Sequence, residues 1–222
     1  MNLFIAGQKL FGAEVLQLCL DLGHNVLGVC APPLAADGIR PDRLRATAEA
    51  EGIAWLTAGQ LRADMLPDGT DLILAAHAHD FIGRRTRLRA RLGAIGYHPS
   101  LPPRHRGRDA VRWALRMGEH VTGGTIYWLS DGIDAGDIAA QEHVFIRPGD
   151  SAEELWRRDL FPLGLLLFRR VLTDIQRGRL VKIPQRPDLA TWEPALDRPP
   201  IFRPELPQLG HIEGFEVIRS AW

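Results

Sequence analysis

Short apolar runs alternate along this chain with longer stretches whose apolar residues recur every three or four positions. Residues 2–6 (NLFIA) form the first run and stop at Gly7; from Gly12 the chain reads GAEVLQLCLDL, a helical pattern, and residues 25–30 (NVLGVC) form the second run, closed by Pro32 and Pro33. Strand, glycine turn, helix, strand is the start of a βαβ unit, and a proline pair ends the strand because proline has no N–H to donate to a ladder. Residues 41–51 (PDRLRATAEAE) predict a helix with proline in its first turn. Residues 53–55 predict a short strand, and residues 71–76 (DLILAA) a strand apolar on both faces, as a central parallel strand is.

The second half continues the alternation. Residues 93–97 (GAIGY) predict a strand leading into His98, and residues 108–117 a helix with its apolar face at Ala110, Val111, Ala114 and Leu115. Two further strands, 122–129 and 137–146, flank a glycine-rich loop that carries Asp134. Ser151 and Glu154 make a capping box that opens a long helix with Leu155, Leu163, Leu166, Leu167, Val171 and Ile175 on its core face and Gly178 as its stop. Pro162 lies inside it and predicts a break near Phe161, because proline leaves an earlier carbonyl without its donor. The fold class that follows is α/β: a Rossmann-like, doubly wound, mostly parallel sheet with helices on both faces, a C-terminal helix and an extended tail. We divide the chain into one domain, residues 1–193, and a proline-rich tail, 194–222, that packs on the domain or on a neighbouring subunit. Ile201, Phe202 and Leu206 would supply apolar contact for the latter, as in a homodimer.

Composition narrows the class. Lys plus Arg and Asp plus Glu both number 27 in 222 residues, for a formal net charge of zero and a pI of about 7.1. That balance disfavours a nucleic-acid partner, which calls for a basic excess. Cys19 and Cys30 sit in apolar runs without metal or redox spacing and read as buried free thiols in a reducing compartment. The first residues lack a basic n-region and a cleavage site, and no apolar run is long enough to cross a membrane, so a cytoplasmic protein without membrane contact is expected.

The chemistry concentrates between Gly93 and Gly136. His98 is framed by Pro99, Ser100, Leu101, Pro102 and Pro103, a loop closed by Arg106 and Gly107, and Asp134 sits among Gly132 and Gly136. An imidazole and a carboxylate brought together from two loops make a proton-handling pair. The remaining candidates are weaker. Gly7 and Gly12 lack both the Lys-Ser/Thr of a P-loop and the Gly-x-Gly-x-x-Gly of a dinucleotide site. His77 and His79 would face one side if their strand continued, but two ligands without a third do not make a zinc site, and no metal is expected. Arg84, Arg85, Arg87, Arg89 and Arg91 read either as a solvated helix face or as a patch that draws in an anion.

Gly96-Tyr-His-Pro-Ser-Leu-Pro-Pro103 and Asp131-Gly-Ile-Asp-Ala-Gly136 resemble the paired motifs of the folate-dependent formyltransferase family. Within it the likeness is strongest to the N-terminal hydrolase domain of the 10-formyltetrahydrofolate dehydrogenases, where an aliphatic residue also precedes Tyr-His-Pro-Ser. Pro-Gln at 184–185 and Ala-Thr-Trp at 190–192 echo the family as well, so the resemblance spans residues 1–193. It implies 10-formyltetrahydrofolate as formyl donor, His98 and Asp134 as catalytic pair, and a folate wall made by Ala76, His77, His79, Phe81 and Ile82 with Asp131, Gly132 and Ile133. Asp131 is expected to form the turn by bonding neighbouring amides. Gly96, Ser100 and Arg106 are the implied substrate-side residues. Most such transferases carry an asparagine amide where this chain has Gly96, and the glycine is expected to leave a space beside His98 for a water or part of the acceptor.

The implied activity is formyl transfer to an amine of a small acceptor. Hydrolysis with water as acceptor and folate binding without turnover are the alternatives, and an oxidoreductase on the first βαβ turn is a third with only the fold behind it. Transfer to initiator methionyl-tRNA fits less well, for want of charge and of room for an extra domain.

Overall fold

The computed structural model describes residues 1–78, 80–194 and 196. Its strands are β1 (Asn2–Gly7), β2 (Asn25–Ala31), β3 (Trp55–Thr57), β4 (Leu72–Ala76), β5 (Ala94–His98), β6 (Val121–Trp128) and β7 (Ile138–Phe145). Its α-helices are α1 (Lys9–Asp21), α2 (Arg43–Ala50), α3 (Arg84–Arg89), α4 (Ala110–Arg116), α5 (Ala152–Leu155) and α6 (Phe161–Gln176).

Burial explains the order. Successive strand side chains point to opposite faces, so in β1 Leu3 and Ile5 enter one apolar cluster while Phe4 and Ala6 enter another. A strand buried on both faces belongs inside a sheet. β1 lies there between β2 and β4, in the order β3-β2-β1-β4-β5-β6-β7. The first five strands are parallel, and β6 and β7 form an antiparallel margin. On one face Ile5, Leu74, Ile95 and Ile126 pack under Val15 and Leu16 of α1, Leu44 of α2, and Leu167, Phe168 and Leu172 of α6. The other face is covered more thinly, by Leu61, Leu66, Ile82 and Ala90. The strand order reverses at β1 and β4, and in open α/β sheets the crevice at such a point, beyond the carboxyl ends of the strands, is where ligands bind.

Local differences from the expected elements have physical causes. α2 is capped by Asp42, whose carboxylate accepts from the Leu44 N–H at 2.9 Å, so Pro41 precedes the cap instead of occupying the first turn. β4 stops at Ala76 because His77 turns to φ +61°. The strand on which His77 and His79 would share a face therefore does not continue, and His79 lies outside the described residues.

The capping box forms, with Glu154 N–H donating to Ser151 Oγ at 3.2 Å and Ser151 N–H donating to the Glu154 carboxylate at 2.9 Å. Between α5 and α6 the helix widens into one π turn, Trp156–Leu160, with the Phe161 N–H reaching back to the Trp156 carbonyl. The break forecast by Pro162 thus takes the form of a bulge. The Tyr97 hydroxyl donates to the Leu160 carbonyl in this bulge at 2.7 Å, tying β5 to the helix.

Both cysteines are free and buried. Among the described residues no helix is long and apolar enough to cross a membrane. Of the expected tail only Pro194 and Leu196 are described, and Ile201, Phe202 and Leu206 lie outside the described residues.

Candidate active site

β5 ends at His98, and the loop after it folds back on itself. Ser100 Oγ donates to the Arg104 carbonyl at 3.0 Å, Thr125 Oγ1 donates to the Ser100 carbonyl at 2.8 Å, and Gln141 Nε2 donates to the Pro102 carbonyl at 3.0 Å. This returns the chain so that the His105 carbonyl meets the His98 ring: Nε2 donates to it at 2.6 Å. A carbonyl oxygen can only accept, so the proton is on Nε2. Nδ1 is left facing Asp134, with Oδ2 3.6 Å away, and both side chains are largely buried. That separation is too long for a direct hydrogen bond but close enough for a counter-charge.

Asp134 is held by three residues. Its residue adopts φ +48°, a left-handed conformation that Asp tolerates better than most residues. Oδ1 accepts from the Tyr127 hydroxyl at 2.5 Å and Oδ2 from the Gly107 N–H at 2.7 Å. Gln185 Nε2 donates to the carbonyls of Asp134 and Gly136 at 2.9 and 2.7 Å. Gln185 Oε1 accepts from Arg106 Nε and a terminal nitrogen at 3.1 and 2.7 Å.

Asp134 is seven residues beyond Tyr127, so the hairpin loop doubles back over the sheet to reach it. Gly136 permits the return, since a Cβ there would lie 1.6 Å from the Trp128 carbonyl oxygen. Burial, and then the neighbouring Asp134 charge, push the Tyr127 phenol well above its ordinary range, so it keeps its proton and acts as a donor. Burial lowers the Arg106 guanidinium and Asp134 partly offsets that shift.

The other expected residues divide. Ser100 is fully buried with its hydroxyl spent on the loop, so it shapes the turn and is not open to a substrate. Arg106 is buried against Gln185 and reaches Asp134 only as a nearby charge. Gly96 overturns its expectation: a Cβ there would sit 3.0 Å from Leu129 Cδ1, 3.3 Å from Ala75 Cβ and 3.5 Å from Tyr127 Cε1. At the Cβ position these side chains leave no gap for a water.

Of the residues expected to wall a folate, Phe81 and Ile133 stand exposed at 76% and 59%, while Ala76 and Ile82 turn their side chains inward. Asp131 bonds across to Arg87 and not to the expected neighbouring amides: a terminal Arg87 nitrogen donates to Asp131 Oδ1 at 2.5 Å and another to the Ile82 carbonyl at 2.7 Å. The basic stretch therefore divides too, with Arg87 buried as a clasp and Arg84, Arg85, Arg89 and Arg91 exposed. Asp80 holds the same loop from its other end by accepting from the Gly59 N–H at 2.9 Å. A groove of about 330 Å³ lined by Arg84, Leu88, Trp128, Asp131 and Lys182 lies beside the clasp. It does not include His98 or Asp134, so the site is assigned from side-chain geometry. Among the described residues no cluster of three or more His, Cys, Asp or Glu is arranged to hold a metal.

Tyr127 and His105 carried no signal in the sequence, because their roles depend on strand register and loop closure. Gln185 was visible only as part of a motif.

Residues 55–169 match the family model described as formyl transferase. Over 203 residues the chain is 34% identical to human cytosolic 10-formyltetrahydrofolate dehydrogenase; the match covers 87% of this chain and 22% of that protein, so the chain spans about a fifth of the relative's length. Glycinamide ribonucleotide transformylase 1 from Symbiobacterium toebii superposes with a TM-score of 0.70 at 24% identity, covering 83% of this chain and 93% of that one. The N-formyltransferase from Helicobacter canadensis, solved with folinic acid and dTDP-3-aminofucose, gives a TM-score of 0.69 at 17% identity, covering 86% and 69%. At these identities the structural likeness carries the fold.

Proposed function

The chain belongs to the formyl transferase family, and from that premise we propose that it transfers the formyl group of 10-formyltetrahydrofolate to an amine of a small acceptor. The observation that carries this reading is the approach of His98 Nδ1 to Asp134 Oδ2 at 3.6 Å while Nε2 is committed to a backbone carbonyl. One ring nitrogen is thereby reserved for the reacting side.

In the proposed reaction the acceptor nitrogen attacks the formyl carbon and the carbonyl oxygen becomes an oxyanion. An imidazolium at His98 presents Nδ1–H to that oxygen, in the place where charge develops. Asp134 is the carboxylate beside Nδ1, and it takes the proton lost by the attacking amine, directly or through one water. Collapse of the tetrahedral intermediate breaks the bond from the formyl carbon to the folate nitrogen, which leaves with the proton that Asp134 had accepted, returning the carboxylate to its starting state. Tyr127 and Gly107 fix the carboxylate. Phe81 and Ile133 offer apolar surface to the pterin.

Hydrolysis remains a second reading, supported by the 34% identity to a 10-formyltetrahydrofolate dehydrogenase and by Gly96, which supplies no amide donor for the oxyanion. Incubation with 10-formyltetrahydrofolate, with and without amines such as amino sugars and glycinamide derivatives, separates the readings. Amine-dependent release of tetrahydrofolate supports transfer, and amine-independent formate supports hydrolysis. Either activity is expected to fall at least about 100-fold in His98→Ala and Asp134→Asn. Tight folate binding without release in the unaltered chain overturns both in favour of a binding module.

A further inference from the structure

The group that fixes His98 is itself held by an unusual cluster. His105 is 2% exposed, adopts φ +52°, and faces a carboxylate on each side. Nδ1 lies 3.0 Å from Glu193 Oε2, and Nε2 lies 3.1 Å from Glu119 Oε1, to which Arg104 also donates. Both carboxylate oxygens lie at ion-pair distance from the ring, although the ring N–H directions are not aligned for linear hydrogen bonds. A neutral imidazole has one N–H and one lone pair, so only the cationic ring offers a proton to each carboxylate.

The backbone of His105 is pinned at the same time. Its N–H donates to Thr191 Oγ1 at 2.8 Å, and its carbonyl accepts the His98 Nε2 proton. Thr191 belongs to a strap laid over the loop: its N–H donates to the Pro103 carbonyl, its carbonyl accepts from the Arg106 N–H, and the Pro194 carbonyl accepts from Trp113 Nε1 at 2.8 Å. Glu193 is part of this strap, so a segment far along the chain helps aim the peptide group that orients His98.

We propose that His105 is a positioning residue for formyl transfer: its ring, clamped between Glu119 and Glu193, fixes the direction of its own carbonyl and so keeps the His98 proton on Nε2 and Nδ1 turned toward Asp134. The proposal rests on the reading that His98 works through Nδ1. The two carboxylates on opposite edges of the ring resist its rotation, and the strap holds the left-handed backbone beneath it.

Three variants of the full chain test this: His105→Phe, which keeps the ring volume, Glu193→Leu, and the conservative Glu193→Gln, whose amide keeps an oxygen of the same reach beside Nδ1. Two readouts are taken. One is the split of kcat and KM with 10-formyltetrahydrofolate; the other is the nitrogen NMR shift of the His98 ring, assigned by its loss in His98→Asn, which reports the tautomer without turnover. His105→Phe and Glu193→Leu are expected to lower kcat between about tenfold and 100-fold with KM within about twofold, and to move His98 from a single Nε2–H form to a mixture. Glu193→Gln is expected to recover most of the rate and the single form. If His105→Phe does not fold, the Glu193 pair decides the matter. An unchanged His98 tautomer in the folded variants overturns the proposal, as does a rise in KM at constant kcat. If the unaltered chain shows no turnover but the His98 tautomer still shifts in the variants, the proposed reaction fails and the positioning role stands.

Discussion

Tyr127→Phe isolates one atom of the site. The hydroxyl donates to Asp134 Oδ1 at 2.5 Å, and because burial and the adjacent carboxylate hold the phenol well above its ordinary range, no ionised form competes with that donation. Phenylalanine keeps the ring that fills the space opposite Gly96, where Tyr127 Cε1 would lie 3.5 Å from an added Cβ, so packing is conserved and the hydrogen bond alone is lost. A hydrogen bond to a charged group contributes about 1.5–3 kcal/mol. If the carboxylate orientation matters only as charge develops, the same energy appears in the barrier, a loss of between about tenfold and 150-fold in kcat. KM for the folate is expected to stay within about twofold, since the contact is made to Asp134 and not to ligand. Initial rates of tetrahydrofolate release over a folate titration measure both constants. Asp134→Asn and the double variant complete a cycle, in which Tyr127→Phe is expected to add little once the carboxylate is gone. Wild-type kcat in Tyr127→Phe refutes the reasoning, and so does an equal fold-loss with and without the carboxylate.

Two further outcomes follow from packing and from burial. Gly96→Asn, which would restore the amide common in related motifs, is expected to lower both stability and kcat/KM. Its Cβ meets Leu129 Cδ1 at 3.0 Å, overpacking costs about 1–3 kcal/mol, and Tm in a chain of this size moves roughly 2–4 °C per kcal/mol. A faster enzyme with unaltered Tm would show that Leu129 yields freely. Cys19 and Cys30 are pushed up from 9.0 to about 12, chiefly by burial. A thiol that stays protonated in the folded state gives stability that is fully present below the unfolded pKa and lost as pH rises through the folded one. The urea midpoint is therefore expected to fall between pH 9 and 12, less steeply in Cys19→Ala; an identical slope in that variant would assign the fall to other groups.

How far the sequence could be read follows from which interactions are local. The capping box at Ser151 and the break ahead of Pro162 are written within a few neighbouring residues, so their presence was legible, although the π turn itself was not. The two motifs around His98 and Asp134 were legible for the same reason. Tyr127 was not, because its role depends on the β5–β6 register that sets it opposite Gly96, and nothing local to either strand states that pairing. Gly96 was misread for a related reason. A missing side chain leaves a void only if its neighbours leave one, and those neighbours, Leu129 and Ala75, come from other segments. His105 and Glu193 were hidden more deeply, since one sits in a loop whose closure depends on the other.

The same reasoning explains why the aspartate alone says so little. Its left-handed backbone costs on the order of 1–2 kcal/mol, and a flexible loop would relax it. Here the Tyr127 and Gly107 donors hold the carboxylate while Gln185 holds the backbone carbonyls on either side of Ala135. Those three partners come from β6, from the loop after β5 and from the strand-like segment after α6. Each could offset the strain only in part, and together they leave Oδ2 one position, facing Nδ1 of His98. Loss of any one partner should thus be felt as misplacement of the carboxylate before it is felt as unfolding, which is why rate and geometry, more than stability, are the sensitive measures of this site.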